Sequence, residues 1–599
     1  MDLNHTAYTF SVGIRSMRNI ESFLGVSKVA PPGELAQTES EALCALVWGK
    51  KQTARRTLSW ADHHTIPVWY LEDGFIRSSS SSPHSRSSYS LVVDDVGVYY
   101  DATQPNLLEN FLNNEDGKFD TSFKATTDYT SRCLKLLLQH NITKYNFCAD
   151  IEPDHWLATS TRPIVLVVDQ TRDDASVRFG SMTEHDFTDM LDTAITENPE
   201  ARIVVKSHPD VISGRRRGYL TQLARQRGIT LLVEPYNPLS VLKLVSKVYC
   251  GTSQLGFEAL LCKKPVTLFG LPFYAGWGVT DDRRTIPRRK AKRTVEQLFF
   301  ASYDWYTRYC NPTTGERWSL EQCLRHVMLQ KKYFALNSGT STLKGITPWK
   351  KNYIQQCLRT PDTGLTGPEP GNRTVTWGYK TASLVSANSR HGGDVNELWR
   401  VEDGFLRGQG LGSDFNAPQS LVFDSAGMYF NSQQACDLEH NLNTLDCSLG
   451  DIKRSRHLIS LIISQGLSKY NVGSKKFSSV FAQCHETARK LLVIGQVEND
   501  ASLHYGCRDI SDNSSLLKAV RQANPDAYVV YKPHPDVVAG NRRGIVSPDV
   551  LDQYADTECT DVNIIECIEK CDELHTMTCL LYTSPSPRDA TLSRMPSSA

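Results

Sequence analysis

The constraint that bears hardest on this chain is an internal duplication, in which two stretches about 330 positions apart repeat the same polar and glycine residues in the same order. Trp48-Gly49 returns as Trp377-Gly378, and LEDGFIRS (Leu71 to Ser78) as VEDGFLRG (Val401 to Gly408). LVVDDVGVYY (Leu91 to Tyr100) returns as LVFDSAGMYF (Leu421 to Phe430), and TKYN (Thr143 to Asn146) as SKYN (Ser468 to Asn471). DQTRDDASVRFG (Asp169 to Gly180) matches GQVENDASLHYG (Gly495 to Gly506), and VVKSHPDVISGRRRG (Val204 to Gly218) matches VYKPHPDVVAGNRRG (Val530 to Gly544). Two long copies exclude a solenoid of short repeats and require a module large enough to own a core.

Residues identical in both copies amid drifting neighbours are the ones a shared site needs. They are Glu72/Glu402, Asp73/Asp403, Arg77/Arg407, Gln170/Gln496, Asp174/Asp500, Ser176/Ser502, Lys206/Lys532, His208/His534, Asp210/Asp536 and Arg216/Arg542. Asp95 and Asp169 fall out, replaced by Ser425 and Gly495.

From Pro163 onward, the first copy alternates strands and helices. IVLVVD is a β-branched run suited to a strand buried on both faces of a parallel sheet, and ARIVVK, TLLVE and VYC follow with helical segments between them. This pattern predicts an α/β fold with an open, doubly wound sheet whose ligands bind beyond the carboxyl ends of the strands. Asp174, Lys206, His208, Thr252 and Ser253 all fall at such ends. The expected divisions are 1–160 and 161–295 for the halves of module one, 296–371 for a helical connector and linker, and 372–485 and 486–579 for the halves of module two. Beyond Thr578-Cys579, aligned on Thr252-Ser253, the copies share nothing. Residues 580–599 therefore read as foreign or frame-shifted sequence, leaving module two without its final quarter and with a raw sheet edge and exposed apolar surface.

Composition excludes some classes. The 66 basic and 66 acidic residues cancel, so no global field attracts nucleic acid. There is no apolar run near the roughly 18 residues of a membrane span, no secretory signal pattern at the start, and no metal spacing among the 16 cysteines, which suits a reduced cytoplasmic setting.

Each motif has a bland alternative. KSHPD and KPHPD set a lysine and an imidazole at a strand end, which suits an anionic phosphate group, although His-Pro is also a common turn. GTSQLGFEALL (Gly251 to Leu261) offers a helix start with free amides for an anion, or a plain N-cap at Ser253. Asp174 and Asp500 are either nucleophile or base, or caps of the following turn. Glu72-Asp73 before Arg77, and Glu402-Asp403 before Arg407, either line a cleft or close an internal ion pair. Arg216 and Arg542 in GRRRG and GNRRG either bind anions or are solvated.

Taken together, EDGFLR, QVxxDAS, KPHPD, TSxxGFEALL and PFYAGWG (Pro272 to Gly278) resemble the bacterial capsule polysaccharide synthesis proteins of the KpsC type, over roughly residues 8 to 579. The resemblance implies two tandem GT-B-like modules, each of two Rossmann-like halves. It implies retaining transfer of β-linked Kdo, an acidic eight-carbon sugar, from CMP-Kdo to a phosphatidylglycerol-type lipid-linked acceptor at the cytoplasmic face of the inner membrane, building a poly-Kdo linker alongside the capsule synthesis and export machinery. By that resemblance, Asp174 and Asp500 attack the anomeric carbon. Glu72 and Glu402 are acid/base candidates, and Lys206, His208, Thr252, Ser253, Lys532 and His534 hold the CMP phosphate, with Glu258 a ribose or cytidine contact. No cofactor or metal is expected, because cations and amides already stabilise the leaving phosphate. The first copy lacks the Gly410 to Gly412 glycines, and the second lacks the phosphate-binding helix, so only module one is expected to turn over. A non-catalytic capsule assembly scaffold and a transferase of another CMP-sugar such as CMP-sialic acid remain as alternatives.

Overall fold

The computed structural model describes residues 5–32, 42–79, 88–212, 214–359, 373–379, 397–411, 415–447, 449–473 and 480–578. The serine-rich loop around 80–87, the linker at 360–371, Gly412 and the tail 580–599 lie outside the described residues. The chain forms two compact units, Met1–Leu336 and Asn337–Ala599.

The first unit holds thirteen strands: β1 (Thr6–Tyr8), β2 (Lys28–Ala30), β3 (Ala42–Trp48), β4 (Val68–Asp73), β5 (Ser90–Asp94), β6 (Ile164–Val168), β7 (Arg202–Lys206), β8 (Thr230–Leu232), β9 (Lys247–Cys250), β10 (Val266–Leu268), β11 (Asp281–Asp282), β12 (Thr307–Cys310) and β13 (Arg317–Trp318). They build two sheets, ordered β13-β12-β5-β4-β3-β1-β2 and β11-β10-β9-β6-β7-β8. Every pairing in the second sheet is parallel. β6 sits at its centre and is buried at all five positions, as a strand covered by helices on both faces must be. Parallel pairing places the carboxyl ends of β6, β7 and β9 along one edge, where the site residues lie.

The second unit repeats this plan with β14 (Ser341–Lys344), β15 (Arg373–Trp377), β16 (Glu397–Asp403), β17 (Leu421–Asp424), β18 (Lys490–Ile494), β19 (Tyr528–Lys532), β20 (Thr557–Glu558) and β21 (Glu573–His575). Its sheets run β14-β15-β16-β17 and β20-β19-β18-β21. The fold is thus α/β, with two tandem modules each carrying two sheets.

Of the connector expected at 296–371, the described stretch up to Leu336 belongs to the first unit. Its aromatic run is core material: Phe299, Phe300, Tyr303 and Tyr306 are buried, and the Tyr306 hydroxyl donates to Asp94 Oδ2 at 2.6 Å. The chain then crosses back to the first sheet, where β12 pairs antiparallel with β5 and β13 with β12. The helix Leu320–Leu336 buries Leu320, Cys323, Leu324 and Val327 in the same core. Past Asn337 the chain already belongs to the second unit, since β14 pairs with β15 in the way β1 pairs with β3.

Among the described residues, the second unit has no counterpart of Gln254 to Trp318. The difference shows at matched positions. Phe75 is 1% exposed beneath the rings of Phe273 and Tyr303, whereas Phe405 is 43% exposed.

The PFYAGWG segment is pinned from within. Arg289 donates to the carbonyls of Pro272 (2.6 Å) and Ala275 (2.8 Å), and pairs with buried Glu109 at 2.8 Å, which also binds Arg288. Glu109→Gln leaves the Arg289 charge uncompensated in the core, so it should cost the first unit about 3–5 kcal/mol in denaturant unfolding.

Candidate active site

The donor-side wall is set by hydrogen bonds between strand-end loops. Gln170, two residues beyond β6, is buried. Its Oε1 accepts from the Thr252 backbone N–H at 2.8 Å, and its Nε2 donates to Thr252 Oγ1 at 3.0 Å. The Ser176 and Thr252 hydroxyls lie 3.2 Å apart. In the second unit, Gln496 holds Thr578 in the same way, at 2.8 and 3.1 Å. The identical glutamines are therefore clamps that bring the loops after β6 and β9, or β18 and β21, together.

Asp174 follows Asp173, whose φ of +65° makes the tight turn. Its Oδ1 accepts from the Ser176 N–H at 2.9 Å and caps the helix Ala175–Phe179. Asp500 caps Ala501–Gly506 through Ser502 N–H at the same distance. Capping uses one oxygen of each carboxylate, and among the described residues the other accepts no hydrogen bond. Cap and chemistry are thus compatible. Asp174 is half-buried, and Asp500 is exposed.

The His-Pro turn fixes a tautomer. Asp210 N–H donates to His208 Nδ1 and Asp536 N–H to His534 Nδ1, both at 3.1 Å, so each ring's proton sits on Nε2, ready to be donated. Burial pushes both imidazoles below their usual range, against the pull of Asp210 and Asp174 on His208, and of Asp536 and Asp500 on His534. Arg216 and Arg542 push in the same direction as burial. Lys206 is buried and its charge is disfavoured by burial, with Cys148, Glu234 and Glu258 opposing. Lys532 is also buried, and its Nζ donates to the Cys559 carbonyl at 3.5 Å.

The helix Gln254–Leu261 starts on Ser253, whose hydroxyl accepts from Leu255 N–H at 3.3 Å. Tyr274 of PFYAGWG supports this start from behind, donating to the Ser253 carbonyl at 2.6 Å. Glu258 is not where a nucleoside contact would be. It lies one turn into a helix buried from Gly256 to Leu261, and its carboxylate accepts from the Thr143 hydroxyl and the Lys144 N–H. Burial raises it to about 7 despite those bonds and the charges of Lys144 and Lys206. Glu258 fastens the TKYN loop to the donor-side half.

The facing wall is the EDGFxR segment, and its charges divide between two jobs. Arg77 Nε lies 2.9 Å from Asp73 Oδ2, and Arg407 Nε donates to Asp403 Oδ2 at 2.9 Å, so the Asp–Arg pairs are internal. Glu72 and Glu402 are left over. The Tyr100 hydroxyl donates to Glu72 Oε1 at 3.4 Å. Gly49, with φ of +46°, is needed here, because a Cβ would stand 2.3 Å from that same oxygen. Gly378, with φ of +47°, repeats the arrangement: a Cβ there would stand 2.6 Å from Glu402 Oε1. The repeated Trp-Gly thus makes room for the glutamate. Burial raises both glutamates to about 7: Asp73 adds to the effect on Glu72 while Lys144 and Lys51 oppose it, and for Glu402 Lys350 and Lys469 oppose burial while Asp403 and Asp500 add.

The two walls meet. Tyr100 packs against Phe179 of the helix capped by Asp174, with ring centres 6.2 Å apart, and Ala102 N–H donates to the Phe179 carbonyl at 2.9 Å. In the second unit, Phe430 and Tyr379 pack on Tyr505, and the Ser432 hydroxyl donates to the Tyr505 carbonyl at 3.0 Å. Tyr100, the hydrogen-bond partner of Glu72, thus packs on the helix that Asp174 caps, and the elements carrying Glu402 and Asp500 meet through Tyr505 in the same way. The residues that sequence reasoning left out of the site are Gly49, Tyr100 and Lys144, although Trp-Gly, VYY and TKYN were all visible as repeats. Among the described residues, no group of three or more His, Cys, Asp or Glu is placed to hold a metal ion.

A family model described as capsule polysaccharide biosynthesis protein matches residues 43–309, 373–471 and 452–582. A capsule polysaccharide modification protein, LipA, from Neisseria meningitidis serogroup B is 38% identical over 592 residues, 96% of this chain and 82% of that protein. The chain belongs to the capsule polysaccharide biosynthesis family. A lipopolysaccharide-processing protein, LpsZ, from Rhizobium meliloti is 37% identical over 284 residues, covering 47% of this chain and 63% of that one. Among solved structures, Thermosulfurimonas dismutans KpsC, a beta Kdo 2,4 transferase, is 40% identical with a TM-score of 0.50, over 54% of this chain and 98% of that one. The family match on the first unit runs from β3 to β12, so it includes the return of the chain to the first sheet. No helix among the described residues is long and apolar enough to cross a membrane.

The cap geometry yields a check on Asp174 that needs no substrate. Asp174→Ala should cost about 1 kcal/mol of unfolding free energy, whereas Asp174→Asn, which keeps the Oδ1 acceptor, should cost only a few tenths.

Proposed function

We propose that the first unit is a retaining glycosyltransferase that moves a β-Kdo residue from CMP-Kdo to a lipid-linked glycan acceptor of the phosphatidylglycerol type, working peripherally at the cytoplasmic face of the inner membrane to extend a poly-Kdo linker of a capsular polysaccharide. The single observation that carries the reading is the contact of Tyr100, which bonds to Glu72, with Phe179 of the helix that Asp174 caps. Asp174 has one oxygen free, Glu72 is held near neutrality, and cationic and N–H donors line the Asp174 side. The likeness to a Kdo transferase at 40% identity supports the choice of sugar.

The reaction follows from that arrangement. A free Asp174 oxygen attacks the anomeric carbon as the bond from that carbon to the phosphate oxygen breaks, and CMP leaves as a phosphate monoester. The leaving charge is met by the Nε2–H of His208, the charges of Lys206 and Arg216, and the amides at the start of the helix Gln254–Leu261. An acceptor hydroxyl then attacks the same carbon. Its proton passes to Glu72, the bond to Asp174 breaks, and two inversions restore the configuration. Gln170, Thr252 and Ser253 keep the donor-side loops in register, and Glu258 keeps the TKYN loop against them. In the second unit Asp500, Glu402, Lys532, His534, Gln496 and Arg542 recur, but no counterpart of the phosphate-facing helix stands among the described residues.

Mixing the protein with CMP-Kdo for a single turnover and mapping peptides by mass should find one sugar attached at Asp174. The adduct should be missing in Asp174→Asn and unchanged in Asp500→Asn. CMP-sialic acid offered in parallel should leave no adduct, and an adduct from that donor alone would reverse the choice of sugar. The pH dependence has a definite sign. Burial holds Glu72 to about 7, so its base form is populated only as pH rises through that value. Transfer should climb across that range, and Glu72→Gln should lose the climb along with about two orders of magnitude in rate.

A further inference from the structure

The two copies part company at the spot where the walls meet. Phe179, the last residue of the helix that Asp174 caps, is half-buried, and two cations lie over its ring. The guanidinium carbon of Arg178 is 4.5 Å from the ring centre and the ammonium of Lys50 is 5.3 Å from it. They come from different walls. Arg178 lies one turn along the helix from Asp174, its N–H reaching the Asp174 carbonyl at 3.4 Å. Lys50 follows the Trp48-Gly49 turn at the end of β3, and its backbone N–H donates at 3.2 Å to the Tyr100 hydroxyl, which itself donates to Glu72. The cations therefore stand one hydrogen-bonded residue from Glu72 and one helical turn from Asp174.

The two charges are not equally engaged. Lys50 pairs with buried Asp101 and donates to Gln104 Oε1 at 3.1 Å. Arg178 is exposed, and among the described residues it makes no ion pair with Asp174 or any other acid and no side-chain hydrogen bond. In the second unit, Tyr379 stands in the place of Lys50, Asn431 in that of Asp101, His504 in that of Arg178 and Tyr505 in that of Phe179, while Gln434 matches Gln104. Asn431 donates to the Tyr379 hydroxyl at 2.9 Å, and that hydroxyl donates to Gln434 at 3.2 Å, so the contacts of Lys50 with Asp101 and Gln104 are reproduced between uncharged groups. The rings of Tyr379 and His504 each pack on Tyr505 with centres 4.8 Å apart. The fold is satisfied by either set, so packing does not call for the free cation of the first unit.

We propose that Arg178, with Lys50 beside it, is the subsite for the carboxylate of the acidic sugar that ends the acceptor, and so sets the preference of the first unit for an anionic acceptor. This rests on the acceptor being an acidic glycan, as in the reading above. A guanidinium takes a carboxylate through two parallel N–H donors, and the ring of Phe179 restricts its orientation without consuming either of them. The phosphate of the donor has its own cations and amides at His208, Lys206 and the helix start at Ser253. Lys50 belongs to the other sheet, the one that carries Glu72, and this assigns the cations over Phe179 to the acceptor.

The test uses the full chain, CMP-Kdo and a short Kdo-terminated lipid acceptor, beside the same acceptor with its terminal carboxylate reduced to an alcohol. Arg178 is exposed, so replacing it spares the core, whereas removing Lys50 would strand the buried Asp101; the variants are therefore Arg178→Gln and Arg178→Lys. In Arg178→Gln the acceptor KM should rise about tenfold for the carboxylate form and less than about twofold for the alcohol, with the donor KM within about twofold of the parent. Arg178→Lys should return the acceptor KM to within about threefold of the parent, since it keeps the charge and loses only the fork. Equal effects on the two acceptors overturn the proposal. So does a raised donor KM with an unmoved acceptor KM, which would make the arginine a donor contact. Calorimetry of acceptor binding without donor makes the same comparison with no turnover: the parent should bind the carboxylate form more tightly than the alcohol, and Arg178→Gln should narrow that gap about tenfold. An unchanged gap overturns the proposal. If Kdo transfer is absent altogether, the functional reading fails and the gap still decides the role of Arg178.

Discussion

One buried amide sets the geometry of the cleft. Gln170 bonds to both the backbone and the hydroxyl of Thr252, so the loop after the central strand and the loop after its neighbour cannot move apart without exposing unpaired polar groups in a dry interior. Asp174 lies four residues beyond that amide, and Ser253 one residue beyond Thr252. The free carboxylate oxygen and the helix start therefore take their separation from this clamp. Gln496 and Thr578 make the same bonds, which shows that the clamp survives even where the following helix has no described counterpart.

The site reads as a division of labour among charges that look alike in the sequence. Of the two carboxylates in EDGF, the aspartate is neutralised by an arginine four positions on, and the glutamate is kept for the cleft. Asp169 and Asp174 are close in sequence and do different work. Asp169 is buried and accepts from the N–H groups of Tyr219, Leu220 and Thr221, and thereby holds the turn after GRRRG. In the second copy, where Gly495 stands in place of the aspartate, Asn513 bonds to the backbone of Gln496 and Gly544 and ties the corresponding turn. A turn can be held by several side chains, whereas a carboxylate with one free oxygen over a cleft has fewer substitutes.

Much of this was legible before any coordinates. The alternation after Pro163 showed the parallel sheet, because a β-branched run between helical segments has few other homes, and the duplication separated Asp174 from Asp169. What escaped detection was set by long-range packing. The segment from Phe299 to Tyr306 looks like a helical spacer, and nothing local in Thr307–Cys310 says that it joins a sheet built some 200 residues earlier. Glu258 looked like a ligand contact because it sits beside a phosphate motif, but a helix sunk in the core turns its second turn inward. Lys144 escaped because its placement is made by backbone bonds, which leave no trace in side-chain type.

The return of the chain to its first sheet has a consequence for synthesis. β5 is an unsatisfied edge until β12 arrives, so the amino-terminal sheet waits, with Leu91 and Val93 on its rim, while the stretch from Asp94 to Thr307 leaves the ribosome. The donor-side sheet, made of closely spaced parallel units, is complete before that happens. Assembly of the first unit is thereby ordered from its middle outward, and its last act is to close the edge beside Asp94, where Tyr306 locks the seam.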